Sequence, residues 1–545
     1  MNLGNRQTAL DNLTKNQFDV LIIGGGITGA GIALDAASRG LKTALIEKND
    51  FAYGTSSRST KLIHGGLRYL KQLEFGLVKE VGSERAIVHK LAPHLVIAEK
   101  MLLPLKEGRG FGTLLTSFGL KLYDWLAGVN EIDQRKMLTR QQTLRHEPLL
   151  KPDGVKGGGL YAEYRTDDAR LTIEILKTAA AHGALAVNYV KAENFIYKGR
   201  LICGIHGLDT LTHQAITINA TTVVNAAGPW VDELRTLDQS KKGKQLHLTK
   251  GVHIVVDRKK FPVKQAIYFD VPDGRMIFAI PRGRTTYIGT TDTDYNLAID
   301  AVKTTVADAH YLIDAVNDSF PDVNLQLADV ESSWAGLRPL IHEEGKSASE
   351  LSRKDEIFES SSGLISIAGG KLTGYRKMAE RVVDMVIRRS FNNRELKSCY
   401  TDKISLCEDT FTNAGDVQAY KKALALNLAP FGLQPYANYL VETYGRQTDD
   451  ILLSLNQFPD EHESIRLARA ELRLTLENEM VQTPLDFFIR RTGMLYFDIP
   501  RLTLVMNAIL DDFKKYFNWN DEQYKHELHK LEQAIREAQL MISDQ

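Results

Sequence analysis

A chain of 545 residues, 43% hydrophobic and 25% charged, has the composition of a globular protein, and at ~150 residues per domain it holds several domains. This excludes a disordered chain, a collagen-like fibre and a coiled coil. Lysine plus arginine and aspartate plus glutamate each number 68, so the net charge is zero, which speaks against a nucleic-acid partner.

Residues 1–17 are polar and lack both the apolar core of a signal peptide and the arginine content of a transit peptide. The apolar stretch 20–37 is broken by five glycines and Asp35, so it reads as strand, turn and helix, not as a membrane span. An intracellular protein is expected. Residues 18–23 (FDVLII) form the strand. Gly24, Gly26 and Gly29 stand in GxGxxG spacing, and Ile32, Ala33, Ala36 and Ala37 recur at helical spacing before Gly40. A second β run, 41–46, ends in Glu47.

This is a complete βαβ dinucleotide fingerprint. Gly24 makes the tight turn, Gly26 lets a pyrophosphate approach the backbone, and Gly29 lets the helix pack on the strand. The helix start, with Thr28, offers free N–H groups and the positive end of a dipole to phosphate. Glu47 can accept hydrogen bonds from ribose hydroxyls. A lone GxGxxG would be weak; the strand, helix, second strand and acid together are strong.

A polar loop follows at 55–61, with Thr55, Ser56, Ser57 and Lys61. Two later segments read as returns to the same sheet. Residues 222–225 are a β run before Ala226-Ala227-Gly228-Pro229-Trp230. Residues 364–368 are another, before Gly369-Gly370-Lys371-Leu372-Thr373-Gly374 and a helical pattern over 375–389. A second helix start can stabilise the charge that a flavin acquires at its N1–C2=O edge on reduction. Between these returns, 276–281 and 285–291 read as strands. From about 400 the pattern is helical, as at 461–480 and 521–541.

Metal sites and disulfides are not indicated. The three cysteines, Cys203, Cys399 and Cys407, form no CxxC pair, and no HExxH occurs. Residues 292–296 begin like a calcium loop, but Leu297 and Lys303 stand where glycine and glutamate are required.

The chain resembles the FAD-dependent glycerol-3-phosphate dehydrogenases, within the wider D-amino-acid-oxidase-like flavoproteins. The resemblance is carried by FDVLIIGGGITGAGIALDAASRG (18–40), GTSSRSTKLIHGGLRYL (54–70), KGVHIVV (250–256), IPRGRTTYIGTTDTDY (280–295), WAGLRPL (334–340) and SIAGGKLTGYRKMAE (366–380). It implies a Rossmann-like FAD-binding domain, a β-rich substrate domain and an all-α C-terminal domain. We expect the first over 1–90, 155–245 and 355–392, the second over 91–154 and 246–354, and the third over 400–545.

The implied cofactor is non-covalent FAD, held by Gly24, Gly26, Thr28, Gly29, Glu47, Thr55, Ser56, Ser57, Lys61, His64, Gly65, Gly228, Gly369, Gly370, Leu372 and Thr373. The implied substrate is sn-glycerol 3-phosphate, oxidised at C2 to dihydroxyacetone phosphate. A dianionic phosphate calls for cations, and an arginine fork donates two parallel hydrogen bonds to it. Arg68, Arg338, Lys371 and Arg376 supply that chemistry, with Tyr69 beside Arg68. Arg338 and Lys371 lie in glycine-rich, turn-like contexts whose side chains can point into a cleft. For the proton of the C2 alcohol His253 is the first candidate base, with an ordinary imidazole pKa near ~6.5; Lys371 and Arg68 are the alternatives. The bland reading of each is a core histidine or a solvated cation.

The resemblance further implies a quinone as electron acceptor and a peripheral place on the cytoplasmic face of the cell membrane; a homodimer is left open. Residues 111–128, apolar and aromatic, are one candidate docking surface, and the cations at 241–244 and 258–260 suit anionic lipid. The alternative is a glycerol-3-phosphate oxidase, which shares the reductive half, passes electrons to oxygen and releases hydrogen peroxide.

Overall fold

The computed structural model describes residues 2–63, 75–107, 135–289, 292–342, 355–406, 411–458 and 462–540. In chain order, the elements that build the site are β1 (Gln17–Ile23), α1 (Ile27–Ser38), β2 (Thr43–Ile46), α2 (Asp168–Ala181), β3 (Ala215–Asn225), β4 (Leu246–Asp257), β5 (Val330–Ile341), β6 (Ile365–Gly369) and α3 (Tyr375–Ser390).

The first sheet has a parallel core in the order β6, β3, β1, β2 and Leu185–Val187. β1 lies at its centre, and Leu21 and Ile22 are fully buried, which explains the unbroken apolar run of a strand covered on both faces. The antiparallel strand Asp355–Glu359 and the hairpin Val190–Lys198/Leu201–Asp209 extend it. α1 is buried along nearly its whole length. A Cβ on Gly31 would lie 2.8 Å from the Tyr375 ring, so this glycine allows α1 and α3 to touch. Gly40, at φ +99°, turns the chain after α1 as the pattern predicts.

The second sheet is mainly antiparallel and holds β4 and β5 as neighbours paired along most of their length. One face packs against the helix Val306–Ser319. The other packs partly against the C-terminal helices, through Trp334 and Tyr287 with Phe487, Tyr496 and Leu502. The C-terminal region is helical from Ala414–Leu428 to Asp521–Ala538, and the helices expected at 461–480 and 521–541 are Glu463–Asn478 and Asp521–Ala538.

One boundary differs from the expectation. Residues 155–165 do not join the first sheet: strand Val155–Arg165 pairs with Ile97–Lys106 over its full length and also takes up Leu62–Ile63. The flavin-side portion therefore resumes at α2. On its other side strand Val155–Arg165 pairs with Lys136–Thr139, and Gly157 permits that approach, since a Cβ there would lie 2.6 Å from the Leu138 carbonyl oxygen.

Candidate active site

The C-terminal ends of β1, β3 and β6 open into a cleft of about 980 Å³ that runs between the two sheets. In open parallel sheets this is where ligands bind. Ile23, Ala226 and Gly369, at or just past the ends of these strands, all line it.

The fingerprint glycines stand as expected. Gly24 has φ +120°, and a Cβ there would lie 2.5 Å from the Ala226 carbonyl oxygen. A Cβ on Gly29 would lie 1.9 Å from the Gly24 carbonyl oxygen, so only glycine lets α1 start so close to the turn. Gly26 is the N-cap of α1 and supplies no side-chain cap; Gly26 and Thr28 line the cleft. Ser56 Oγ accepts the Ile27 N–H at 2.9 Å, which fastens the polar loop to this helix end.

Glu47 lines the cleft and accepts the Gly25 N–H at 2.8 Å and the Asn49 N–H at 2.9 Å. Burial pushes its pKa up despite those two bonds. Across the cleft, Gly228 has φ +56°, and Gly369 and Gly370 have φ +77° and +83°. Lys371, Leu372 and Thr373 follow, and the 3-10 turn Leu372–Gly374 leads into α3. Two helix starts and an acid at the end of the second strand fit an FAD: α1 would hold the pyrophosphate, Glu47 a ribose, and residues 371–373 the flavin edge.

Of the loop residues, Thr55 and Ser56 line the cleft, and Thr55 Oγ1 donates to the Leu337 carbonyl at 2.7 Å. Ser57 and Lys61 do not line it. Ser57 is buried and turns its hydroxyl to the Tyr53 carbonyl. Lys61, 3% exposed and at φ +57°, places Nζ 2.5 Å from Asp168 Oδ1 and 3.1 Å from the Ser57 carbonyl. Asp168 is fully buried at the first turn of α2, and a carboxylate there requires a cation. Lys61 therefore anchors the loop through Asp168 and the Ser57 carbonyl and does not line the cleft.

The cations also divide. Arg338 lies within β5, not in a turn. Its guanidinium lies over Gly251, where a Cβ would be 2.2 Å from Nη1, and it donates to Asp292 at 3.0 Å. Arg338, Asp292 and Lys371 all line the cleft. Arg376 corrects the expectation. It sits in the first turn of α3, is 4% exposed, and forks onto Glu84 at 2.9 and 2.5 Å, with Thr401 as a further acceptor. That pair ties α3 to the helix Phe75–Leu91, and neither residue lines the cleft.

His253 is fully buried on β4 and does not line the cleft. Its ring stacks on Trp334, with centroids 4.7 Å apart and planes at 12°. Nε2 lies 3.1 Å from Thr60 Oγ1, and Nδ1 meets no hydrogen-bond partner among the described residues. Burial, then Arg338, then Lys61 hold its pKa well below the ordinary histidine value, so the ring is neutral at neutral pH. Arg68, Tyr69, His64, Gly65 and the segment 111–128 lie outside the described residues.

Three contributors escaped the sequence reading: Thr60, Asp168 and Asp292. Each is an ordinary polar residue whose role depends on a partner distant in the chain, so no local spacing marks it.

The comparisons with known proteins agree with this geometry. The model of the FAD dependent oxidoreductase family matches residues 19–376, and that of the C-terminal domain of alpha-glycerophosphate oxidase matches 413–524. The chain is 48% identical over 539 residues to the aerobic glycerol-3-phosphate dehydrogenase of Bacillus subtilis, covering 98% of this chain and 97% of that protein. It is likewise 48% identical over 541 residues to the enzyme of that name from Staphylococcus aureus, with the same coverage. Among solved structures, the glycerol-3-phosphate dehydrogenase of Bacillus halodurans complexed with FAD superposes with a TM-score of 0.85 at 44% identity, covering 100% of both chains. The L-alpha-glycerophosphate oxidase of Mycoplasma pneumoniae shares the fold, at a TM-score of 0.57 and 17% identity over 72% of this chain and 98% of that one.

Proposed function

The chain belongs to the family of FAD-dependent oxidoreductases and, within it, to the aerobic glycerol-3-phosphate dehydrogenases, so its reaction is the FAD-dependent oxidation of glycerol 3-phosphate; from that premise we propose the roles of its residues and a quinone as electron acceptor. The observation that carries the substrate reading is the placement of Arg338 and Lys371 in the same cleft as the two glycine-lined helix starts. The dianionic phosphate docks on the Arg338 fork, with Asp292 fixing the guanidinium. Lys371 stands at the flavin edge and orients the C2 hydroxyl. FAD, when bound, accepts the hydride from C2. The hydroxyl proton leaves to a base, and neutral His253 is the residue held in the accepting state.

The test is a visible spectrum under nitrogen before and after addition of sn-glycerol 3-phosphate. The flavin band bleaches if the substrate reading holds, and an unbleached yellow protein discards it. Slow recolouring in air, and fast recolouring with a soluble quinone, support the dehydrogenase. Fast recolouring in air alone supports the oxidase.

A quinone resides in a bilayer, so the acceptor reading carries peripheral docking on the cytoplasmic face of the cell membrane with it. Among the described residues no helix is long and apolar enough to cross a membrane. One exposed corner supports surface docking. Tyr197 and Leu201, at the tip of the hairpin Val190–Lys198/Leu201–Asp209, and Leu237 are exposed beside Lys198, Arg200, Lys241 and Lys242. The Tyr197 hydroxyl donates to Asp238 at 3.0 Å, which brings the hairpin tip and the 237–242 segment together. Apolar side chains ringed by cations suit anionic lipid. Co-sedimentation with anionic vesicles at low salt, lost in Leu201→Asp, is the expected result; no co-sedimentation would discard the membrane reading.

A further inference from the structure

We propose that Thr60 is the proton relay of this site: its hydroxyl faces the cleft and passes the proton of the substrate alcohol to Nε2 of the buried His253. The inference rests on the reaction proposed above.

Thr60 lines the cleft, whereas His253 does not. The 3.1 Å contact between Thr60 Oγ1 and His253 Nε2 joins the buried imidazole to a residue of the cleft wall. The segment carrying Thr60 is held from both sides. Asp168 accepts the Ser59 N–H at 3.0 Å, the Ser59 hydroxyl at 2.6 Å and the Lys61 ammonium at 2.5 Å. Opposite, Trp334 Nε1 donates to the Ser59 carbonyl at 3.2 Å, and the Tyr287 hydroxyl donates to the Thr60 carbonyl at 3.1 Å. Gly336 lets the segment lie on β5, since a Cβ there would be 2.4 Å from the Arg58 carbonyl oxygen. These contacts use the backbone of residues 58–60 and the side chains of Ser59 and Lys61, and the Thr60 hydroxyl is left to meet His253. Trp334 both stacks on His253 and bonds the segment, so hydroxyl and imidazole are fixed relative to one another.

The proton balance is complete. The C2 hydroxyl proton moves to Thr60 Oγ1 as the Thr60 proton moves to Nε2. The C2–H pair leaves as hydride to FAD, C2=O forms, and C2 is oxidised by the two electrons that FAD gains. His253 ends as imidazolium. In the free protein burial, then Arg338, then Lys61 disfavour that cation; a phosphate dianion docked on Arg338 offsets the second of these, so the imidazole accepts a proton more readily with substrate bound than without it.

The test is anaerobic stopped-flow reduction of the purified holoenzyme, with flavin content and melting temperature recorded for each variant. Thr60→Val should slow flavin reduction by about 10²-fold or more, the usual contribution of a placed proton-transfer group, at unchanged flavin content. Thr60→Ser, which keeps the hydroxyl, should recover most of the rate. In a His253→Asn background, already slow, Thr60→Val should cost less than about threefold, because two members of one relay are not additive. Thr60→Ala serves if the valine variant loses flavin. Hydroxyl-free variants that are reduced as fast as the parent would overturn the relay, as would an undiminished penalty in the His253→Asn background. A parent enzyme that does not bleach would overturn the substrate reading instead.

Discussion

Arg338 and Arg491 each bond an aspartate, in opposite surroundings. Arg338 meets Asp292 at 3.0 Å on the wall of the cleft, with its side chain 20% exposed. Arg491 is fully buried where the C-terminal helices join the first sheet. There Asp50, also fully buried, takes Arg490 at 2.5 Å and Arg491 at 2.8 and 3.0 Å, while Glu479 takes Arg170 at 2.6 and 2.9 Å and Lys177 at 3.1 Å. Charge in this joint is matched by charge and turned inward, and it fixes domain position. Charge in the cleft is turned toward space that a ligand can fill. Burial would raise the Asp50 and Glu479 pKa values, but the arginines, with Lys177 at Glu479, outweigh it and both lie below the usual carboxylate range.

The comparison breaks most sharply at Asp50. Asp50→Ala removes the carboxylate that two buried guanidiniums share, leaving Arg490 only Asp486 and Arg491 only Glu479, and about 3–5 kcal/mol of stability should be lost. A thermal melt checks this, and an unchanged midpoint would show that the joint carries little. Arg376→Ala should act like a joint residue, since it strips Glu84 of its fork. The melting temperature should fall by several degrees while KM for glycerol 3-phosphate stays within about twofold. A large rise in KM would return Arg376 to the substrate site. Arg338→Ala should do the reverse: a drop of about 10²-fold in kcat/KM, near 2.7 kcal/mol of lost binding, with the flavin retained and the melting temperature nearly unchanged.

The smallest effect is in pH. Glu479 has a depressed folded pKa, so its stabilisation is fully present above the unfolded value near ~4.3 and is lost as pH falls from there toward the folded value. The difference in melting temperature between the parent and Glu479→Gln should be constant from pH 7 to about 5 and should narrow below about 4. A gap that widens on acidification would contradict the sign.

The βαβ unit was legible because its signals are local. Strand, glycine turn, helix and acid lie within residues 18–47; Gly29 answers to a contact in its own turn and Gly24 to the end of the strand beside it. The C-terminal helices were legible from their period, with ends displaced by a few residues. The two sheets were harder to divide: 155–165 reads equally as a strand of either, and only its pairing with 97–106 assigns it.

Side-chain direction was the least legible property. Arg338, Lys371 and Arg376 carry the same chemistry in adjacent motifs, yet the register of β5 and the entry angle of α3 send two to the cleft and one to Glu84. Lys61 and Ser57 share a loop with Thr55 and Ser56, but a buried Asp168, 107 residues further on, draws Lys61 down.

By itself, the sequence determined the dinucleotide-binding fold, because periodicity and turn chemistry act over a few neighbouring residues, and its resemblance to a known family implied the chemistry and the types of residue the reaction needs. Only the tertiary structure decided which cation lines the cleft and which meets a buried carboxylate, that His253 stands behind Thr60, and that Asp50 holds Arg490 and Arg491 from 440 residues away. Desolvation sets those choices: a charge taken out of water must find its opposite, and which opposite is near depends on the packing of distant segments.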